Sequence, residues 1–242
     1  MMNRLVAHRG DMKTYPENSL LALQQAAKLG LLYIELDIQL SKDLIPIVIH
    51  DDNTKRTTGI DASVKNLTAK ELSSMSLSSF SGSSAQSLLN IPTLKETVDL
   101  LNDYSKINVF VEIKKESIEY FGLEVVVDQV LLAQEHAKFN IIIISFIDKV
   151  VEYVKKIQPF STGYVLKKYN EKYFNKAETL QPDYLFCNVK KINKPAKLWK
   201  SNWKWVLYDI TNPVFAYELL EEGVDFIETG DIVKLSNSEY FR

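Results

Sequence analysis

Two of the three histidines of this 242-residue chain lie within its first fifty residues, with a pair of carboxylates between them. In order, the stretch reads His8-Arg9-Gly10, Pro16-Glu17-Asn18-Ser19, Glu35-Leu36-Asp37 and Pro46-Ile47-Val48-Ile49-His50-Asp51. Two imidazoles, a guanidinium and paired acids are the parts needed to bind a divalent metal and a phosphate and to move protons around them. The combination points to phosphodiester chemistry at a metal. His136, in Glu135-His136-Ala137, reads instead as a helix-surface residue.

These residues need a frame that brings distant segments together. Short apolar runs alternate with amphipathic stretches along the chain, the pattern of a parallel sheet wrapped by helices. Strands are predicted over Arg4–His8, Tyr33–Asp37, Pro46–Ile49, Asn108–Ile113, Ile141–Ser145, Thr162–Leu166, Tyr184–Cys187, Lys204–Tyr208 and Asp225–Glu228. Helical spacing covers Asn18–Leu29, with Asn18 as its cap, then Thr93–Asn102, Ile118–Ala137, Lys149–Ile157 and Pro213–Glu222.

Only Ile38 to Ile45 separates the second and third strands. A parallel crossover needs roughly a dozen residues, so this pair must be an antiparallel hairpin. With the turn at Asp43-Leu44, residue numbers across the ladder sum to about 87, which sets His50 opposite Asp37. Setting the hairpin arm aside leaves parallel strands in the number that closes a (β/α)8 TIM barrel. His8, Glu35, Asp37, Glu112 and Lys114 then fall at or just past C-terminal strand ends, where such barrels carry their reactive groups. An open doubly wound sheet is the alternative, but no Gly-rich phosphate turn follows the first strand.

Residues 51–92 read as an insertion near the barrel mouth, Ser-rich over Ser73–Ser87 and anchored by Leu67, Leu72, Met75 and Leu77. The whole of 1–242 is expected to be one domain.

Composition narrows the function classes. The chain is 46% hydrophobic and 25% charged, with a net charge of -2. Its pI near 6.0 supplies no global basic surface for a nucleic-acid backbone. The lysines at 190, 191, 194 and 197 read as ordinary surface. One cysteine, Cys187, precludes an intramolecular disulfide and favours a reducing compartment. No apolar run approaches a membrane span, and the residues before His8 are too few for a signal peptide, so a cytoplasmic protein is expected.

The ordered motifs resemble those of the glycerophosphodiester phosphodiesterase family. They are Ala7-His8-Arg9-Gly10, Pro16-Glu17-Asn18-Ser19, Glu35-Leu36-Asp37-Ile38, Pro46-Ile47-Val48-Ile49-His50-Asp51 and Arg56-Thr57-Thr58-Gly59. Ile91-Pro92-Thr93-Leu94, Val111-Glu112-Ile113-Lys114, Ser145-Phe146 and Gly223-Val224-Asp225 continue the series. The resemblance implies a (β/α)8 barrel and metal-dependent hydrolysis of small glycerophosphodiesters, such as glycerophosphocholine or glycerophosphoethanolamine, to an alcohol and glycerol 3-phosphate. It implies Glu35, Asp37 and Glu112 as ligands of one Mg2+ or Ca2+, in keeping with the taste of hard cations for carboxylate oxygen. It makes His8 and His50 the acid/base pair, with the roles unassigned between them and direct attack by His8 on phosphorus an open variant. Arg9 and Lys114 are then candidates for the phosphoryl oxygens, and Glu17, Asn18, Phe146 and Tyr208 for orienting or touching substrate.

The C-terminal part departs from the family. Tyr208-Asp209-Ile210-Thr211 stands where Trp-Thr-Val-Asn is common, and Gly230 where an Asp usually follows Thr229. These changes bear on substrate preference. Two other readings go with them: a phospholipase-like enzyme entered over an apolar Leu88-Leu89-Ile91 face, and a barrel that binds a phosphate ligand without turnover. The oligomeric state is not legible.

Overall fold

The structure is a computed structural model and describes residues 1–77, 86–157, 160–192 and 198–242. Its strands are β1 (Leu5–Ala7), β2 (Tyr33–Leu40), β3 (Pro46–Val48), β4 (Asn108–Ile113), β5 (Asn140–Ser145), β6 (Ser161–Val165), β7 (Tyr184–Asn188), β8 (Lys204–Tyr208) and β9 (Phe226–Thr229). All but β3 are parallel to their neighbours, and β1 pairs with both β9 and β2, which closes an eight-stranded barrel. β3 lies outside the ring, antiparallel to β2. The surrounding helices are α1 (Leu20–Lys28), α2 (Lys55–Thr58), α3 (Ala69–Ser73), α4 (Leu94–Leu101), α5 (Lys115–Phe121), α6 (Leu123–Ala133), α7 (Asp148–Ile157), α8 (Glu171–Leu180), α9 (Pro213–Glu221) and α10 (Ile232–Ser236).

Side-chain caps set several of the helix starts. Thr93 and Glu96 form a reciprocal capping box on α4, and Asn212 caps α9 ahead of Pro213. The cap of α1 is Ser19, whose hydroxyl accepts from the Ala22 N–H, so Asn18 does not cap it as expected. The single helix predicted over Ile118–Ala137 is two, α5 and α6, because Gly122 at φ +90° turns the chain between them. His136 sits in the exposed turn after α6, beside Glu135. Helix α8, capped by Asn170, fills the β6-to-β7 connection that periodicity left without an element.

The hairpin forms, with its register one residue from the expected one: Ile38 faces Val48, and Leu40 faces Pro46. The turn is longer than a two-residue loop, running through Ser41, whose hydroxyl accepts from the Ile45 N–H, with Leu44 at φ +63°. Ile49, not His50, therefore meets Asp37, donating its N–H to the Asp37 carbonyl at 3.0 Å.

Three apolar clusters result among the described residues. The largest lies between barrel and helices. A second fills the barrel interior with Val6, Phe110, Ile142, Ile144, Val165, Tyr184, Phe186, Val206 and Phe226. Phe110 stands edge-on to Tyr184 and to Phe186, each at 5.0 Å between centroids, so aromatic rings plug the barrel. In the third, Val64, Leu72, Leu77 and Ile91 of the insertion cover Ile47 and Ile49 of the hairpin arm, with Leu67 and Met75 partly buried against them. Leu89 and Ile91 are buried, so they offer no apolar entry face. Residues 78–85 of the Ser-rich stretch, and Lys194 and Lys197 of the lysine cluster, lie outside the described residues.

Candidate active site

Side chains along a strand alternate between faces, so whatever follows an interior residue by two positions also points inward. This rule builds the site. His8 stands two residues beyond Val6, Glu35 two beyond Tyr33, Glu112 two beyond Phe110, Phe146 two beyond Ile144, Tyr208 two beyond Val206 and Glu228 two beyond Phe226. These residues, with Arg9, His50, Lys114 and Asp209, line a cavity of about 270 Å³ above the aromatic plug, at the C-terminal ends of the strands. The structure thus brings His8, His50, Arg9, Lys114, Glu35, Glu112, Phe146 and Tyr208 together as the sequence suggests. Thr211 is exposed and outside the cavity lining.

Asp37, Glu17 and Asn18 do not line the cavity. Asp37 is fully buried behind it, paired with Lys114 at 2.6 Å and with Arg9 at 3.0 Å. Asn18, at φ +58° and 2% exposed, donates from Nδ2 to Asp37 Oδ2 at 2.9 Å and accepts from the Asp37 N–H. Its expected contact with substrate is replaced by support of Asp37. Glu17 likewise has no face on the cavity and instead joins two guanidiniums, Arg9 at 2.9 Å and Arg56 at 2.7 Å. Arg56 continues to Asp51 at 2.6 Å, and Asp51 meets His50 Nδ1 at 2.7 Å. A chain of charge pairs therefore runs from Asp37 through Arg9, Glu17, Arg56 and Asp51 to His50. Asp51 accepting at Nδ1 favours the His50 tautomer whose Nε2 is free to take a proton. The role of Arg56 was not foreseen, although its motif was.

The loop after β1 is held by backbone geometry. Arg9 and Gly10 lie at φ +54° and +77°, and the Arg9 N–H donates to Glu35 Oε2 at 3.0 Å. A Cβ on Gly10 would come within 2.6 Å of the Ala22 backbone, so only glycine fits there.

Charge decides the electrostatics. Four buried carboxylates, Glu35, Asp37, Glu112 and Glu228, face the two cations Arg9 and Lys114. Burial alone would raise Asp37, but Lys114 and Arg9 overcome it and hold the carboxyl well below the usual carboxylate range. Burial pushes Glu35 well up, helped by Asp37 and Glu228. Glu228 is pushed up to about 8 by burial and by the neighbouring Glu112 and Asp37. Burial and the adjacent Arg9 press His8 down to about 4. The surplus of negative charge, and Glu35 Oε1 buried with no hydrogen-bond partner among the described residues, fit a bound divalent cation. Glu35, Asp37 and Glu112 each offer an oxygen within 4.8 Å of the others, an all-oxygen set suited to a hard ion.

Glu228 was missed. The signal was present, since it ends a predicted strand as Glu112 nearly does, but no motif singled it out.

The comparisons agree with this geometry. Residues 8–234 match the family described as "Glycerophosphoryl diester phosphodiesterase family". A glycerophosphodiester phosphodiesterase of Caldanaerobacter subterraneus subsp. tengcongensis is 36% identical over 166 residues, covering 66% of this chain and 64% of that protein. One from Bacillus altitudinis is 35% identical over 148 residues, covering 56% of this chain and 59% of that one. The aligned stretches thus span less than two thirds of these relatives' own length. Among solved structures, an Oleispira antarctica phosphodiesterase in complex with the product sn-glycerol-3-phosphate superposes with a TM-score of 0.86 at 23% identity, covering 97% of this chain and 96% of that one. The glycerophosphodiester phosphodiesterase of Thermotoga maritima gives 0.76 at 24% identity, covering 96% of each. These likenesses establish the (β/α)8 fold. With the family match running from the first candidate histidine to the last helix, the chain belongs to the glycerophosphoryl diester phosphodiesterase family.

Proposed function

We propose that this chain hydrolyses small glycerophosphodiesters, such as glycerophosphocholine and glycerophosphoethanolamine, to an alcohol and sn-glycerol 3-phosphate. The observation that carries the reading is the meeting of His8 and His50 with Lys114, Arg9 and the acidic trio at one rim of a barrel of this family. Arg9 and Lys114 oppose the negative charge that grows on the phosphoryl oxygens. Both are locked in place by ion pairs, so they need little reorganisation during reaction. His8 and His50, on opposite sides of the Glu35 and Asp37 pair in sequence, carry proton transfer to the leaving alkoxide and from the attacking water. Tyr208 and Phe146 offer an aromatic wall to the carbon skeleton of the substrate. Glu35, Asp37 and Glu112 would hold one Mg2+ or Ca2+, which supplies Lewis-acid polarisation of a phosphoryl oxygen.

The same proposal takes residues 1–242 as one domain, with 51–92 inserted at the mouth, and places the protein in the cytoplasm. No helix among the described residues is long and apolar enough to cross a membrane. The burial of Leu89 and Ile91 weighs against entry of intact lipid.

Release of glycerol 3-phosphate from glycerophosphocholine, measured by a coupled dehydrogenase assay with Mg2+ or Ca2+ present, tests the reading. His8→Ala and His50→Ala are each expected to lower kcat by about 10²–10⁴-fold. Activity that persists in excess EDTA would remove the metal from the mechanism.

A further inference from the structure

Glu228 is the interior acid that the reading above leaves without a task. It is 4% exposed, and among the described residues the basic side chain beside it is His8, whose Nε2 lies 3.5 Å away. Arg9 and Lys114 are engaged elsewhere, by Glu17 and Asp37 and by Asp37 and Glu112 respectively. The Glu228 oxygens therefore have no cation of the protein to pair with among the described residues and stand open to a bound one. His8, Glu35 and Glu228 each present one donor atom within 4.8 Å of the others. Glu35, shared with the acidic trio, also keeps its Oε1 buried and without a hydrogen-bond partner among the described residues. The same cavity admits a small ion to all three side chains.

We propose that His8, Glu35 and Glu228 form a second cation position, next to the Glu35, Asp37 and Glu112 trio and sharing Glu35 with it, that takes a borderline transition ion such as Zn2+. The donor sets differ in kind. Three carboxylates suit Mg2+ or Ca2+, whereas an imidazole nitrogen among the donors shifts the preference toward a borderline ion such as Zn2+, which takes His nitrogen together with carboxylate oxygen. Coordination through His8 Nε2 occupies the lone pair that proton transfer needs. Where the reaction assigned above holds, on which this consequence alone rests, Zn2+ therefore inhibits turnover by withdrawing His8.

The test uses chelator-treated full-length chain in excess Mg2+, titrated with Zn2+ alone. Binding is followed by long-range 1H–15N spectra of the three histidine rings and by metal content after equilibrium dialysis. The expected result is a zinc-dependent shift of the His8 ring, identified by its loss in His8→Gln. Loss of even an outer partner weakens a metal site about 10- to 100-fold, so Glu228→Gln is expected to weaken Zn2+ by at least about tenfold. Thermal melts of both variants check folding, and His8→Gln removes a ligand from the same position should Glu228→Gln fail to fold. Zn2+ affinity unchanged in a folded Glu228→Gln, shifts confined to His50 or His136, or no zinc binding at all would each overturn the proposal. Zinc binding at His8 in a chain that shows no diester turnover in Mg2+ before zinc is added sinks the assigned reaction and leaves this site standing, while turnover in Mg2+ with no zinc at His8 does the reverse.

Discussion

Asn18 sits behind Asp37 rather than in the cavity, and its amide both donates to the carboxylate and accepts from the Asp37 N–H. Side chains that orient a metal-binding carboxylate matter nearly as much as the carboxylate, so with Asp37 in the proposed role of ligand, Asn18→Ala is expected to weaken Mg2+ or Ca2+ binding about 10- to 100-fold in calorimetry. Glu17 acts on the other side, between Arg9 and Arg56. Burial would raise its carboxyl, but the bonds from Arg56 and Arg9 outweigh it and hold the group below its ordinary value. A depressed carboxyl contributes stability that is present above its unfolded value and is lost as pH falls through the folded one. Arg56 is half exposed, which screens part of the gain. Glu17→Gln is therefore expected to cost about 1–2 kcal/mol near neutrality, a gap that closes below about pH 4 in paired thermal melts. A gap that widened toward acid would contradict the assignment.

At the scale of elements, the loop between β1 and α1 carries the site. Arg9 reaches Glu35, Asp37 and Glu17 only because Arg9 and Gly10 take left-handed backbone conformations. Gly10→Ala meets two penalties, a strained φ and a Cβ driven into the Ala22 backbone. A loss of about 2 kcal/mol or more is expected in urea unfolding, together with weaker substrate binding as Arg9 shifts. The hairpin arm works differently. Its pairing with β2 ends with the Ile49 N–H on the Asp37 carbonyl, and the chain then bends at His50, whose carbonyl accepts from Gln39 Nε2 at 3.2 Å. This bend, more than the strand register, carries the His50 ring to the cavity.

Across the whole molecule, the aromatic plug is the floor on which the reactive layer rests. Phe110 is fully buried and touches Tyr184, Phe186 and Tyr33. Phe110→Ala is expected to destabilise the barrel by about 3–5 kcal/mol in denaturant unfolding, since rings on several strands cannot collapse together into the gap. The barrel itself was legible before any coordinates. Strand runs, the count of connections and the short link from Asp37 to Pro46 follow from local periodicity and chain reach, and local periodicity is written residue by residue. His8, Glu35, Glu112 and Lys114 could be placed at strand ends for the same reason. Helix α8, the break at Gly122 and the cap at Ser19 were not, because each depends on where the chain turns rather than on which residues are apolar. Least legible was the network behind the site. That Asn18 serves Asp37, that Glu17 and Arg56 join Arg9 to His50, and that Glu228 stands beside His8 are outcomes of barrel closure, which brings β9 against β1. By itself the sequence determined the fold class and the chemical inventory of this protein. Only the tertiary structure decided which charges share one buried space, because a contact between residues two hundred positions apart has no local period to reveal it.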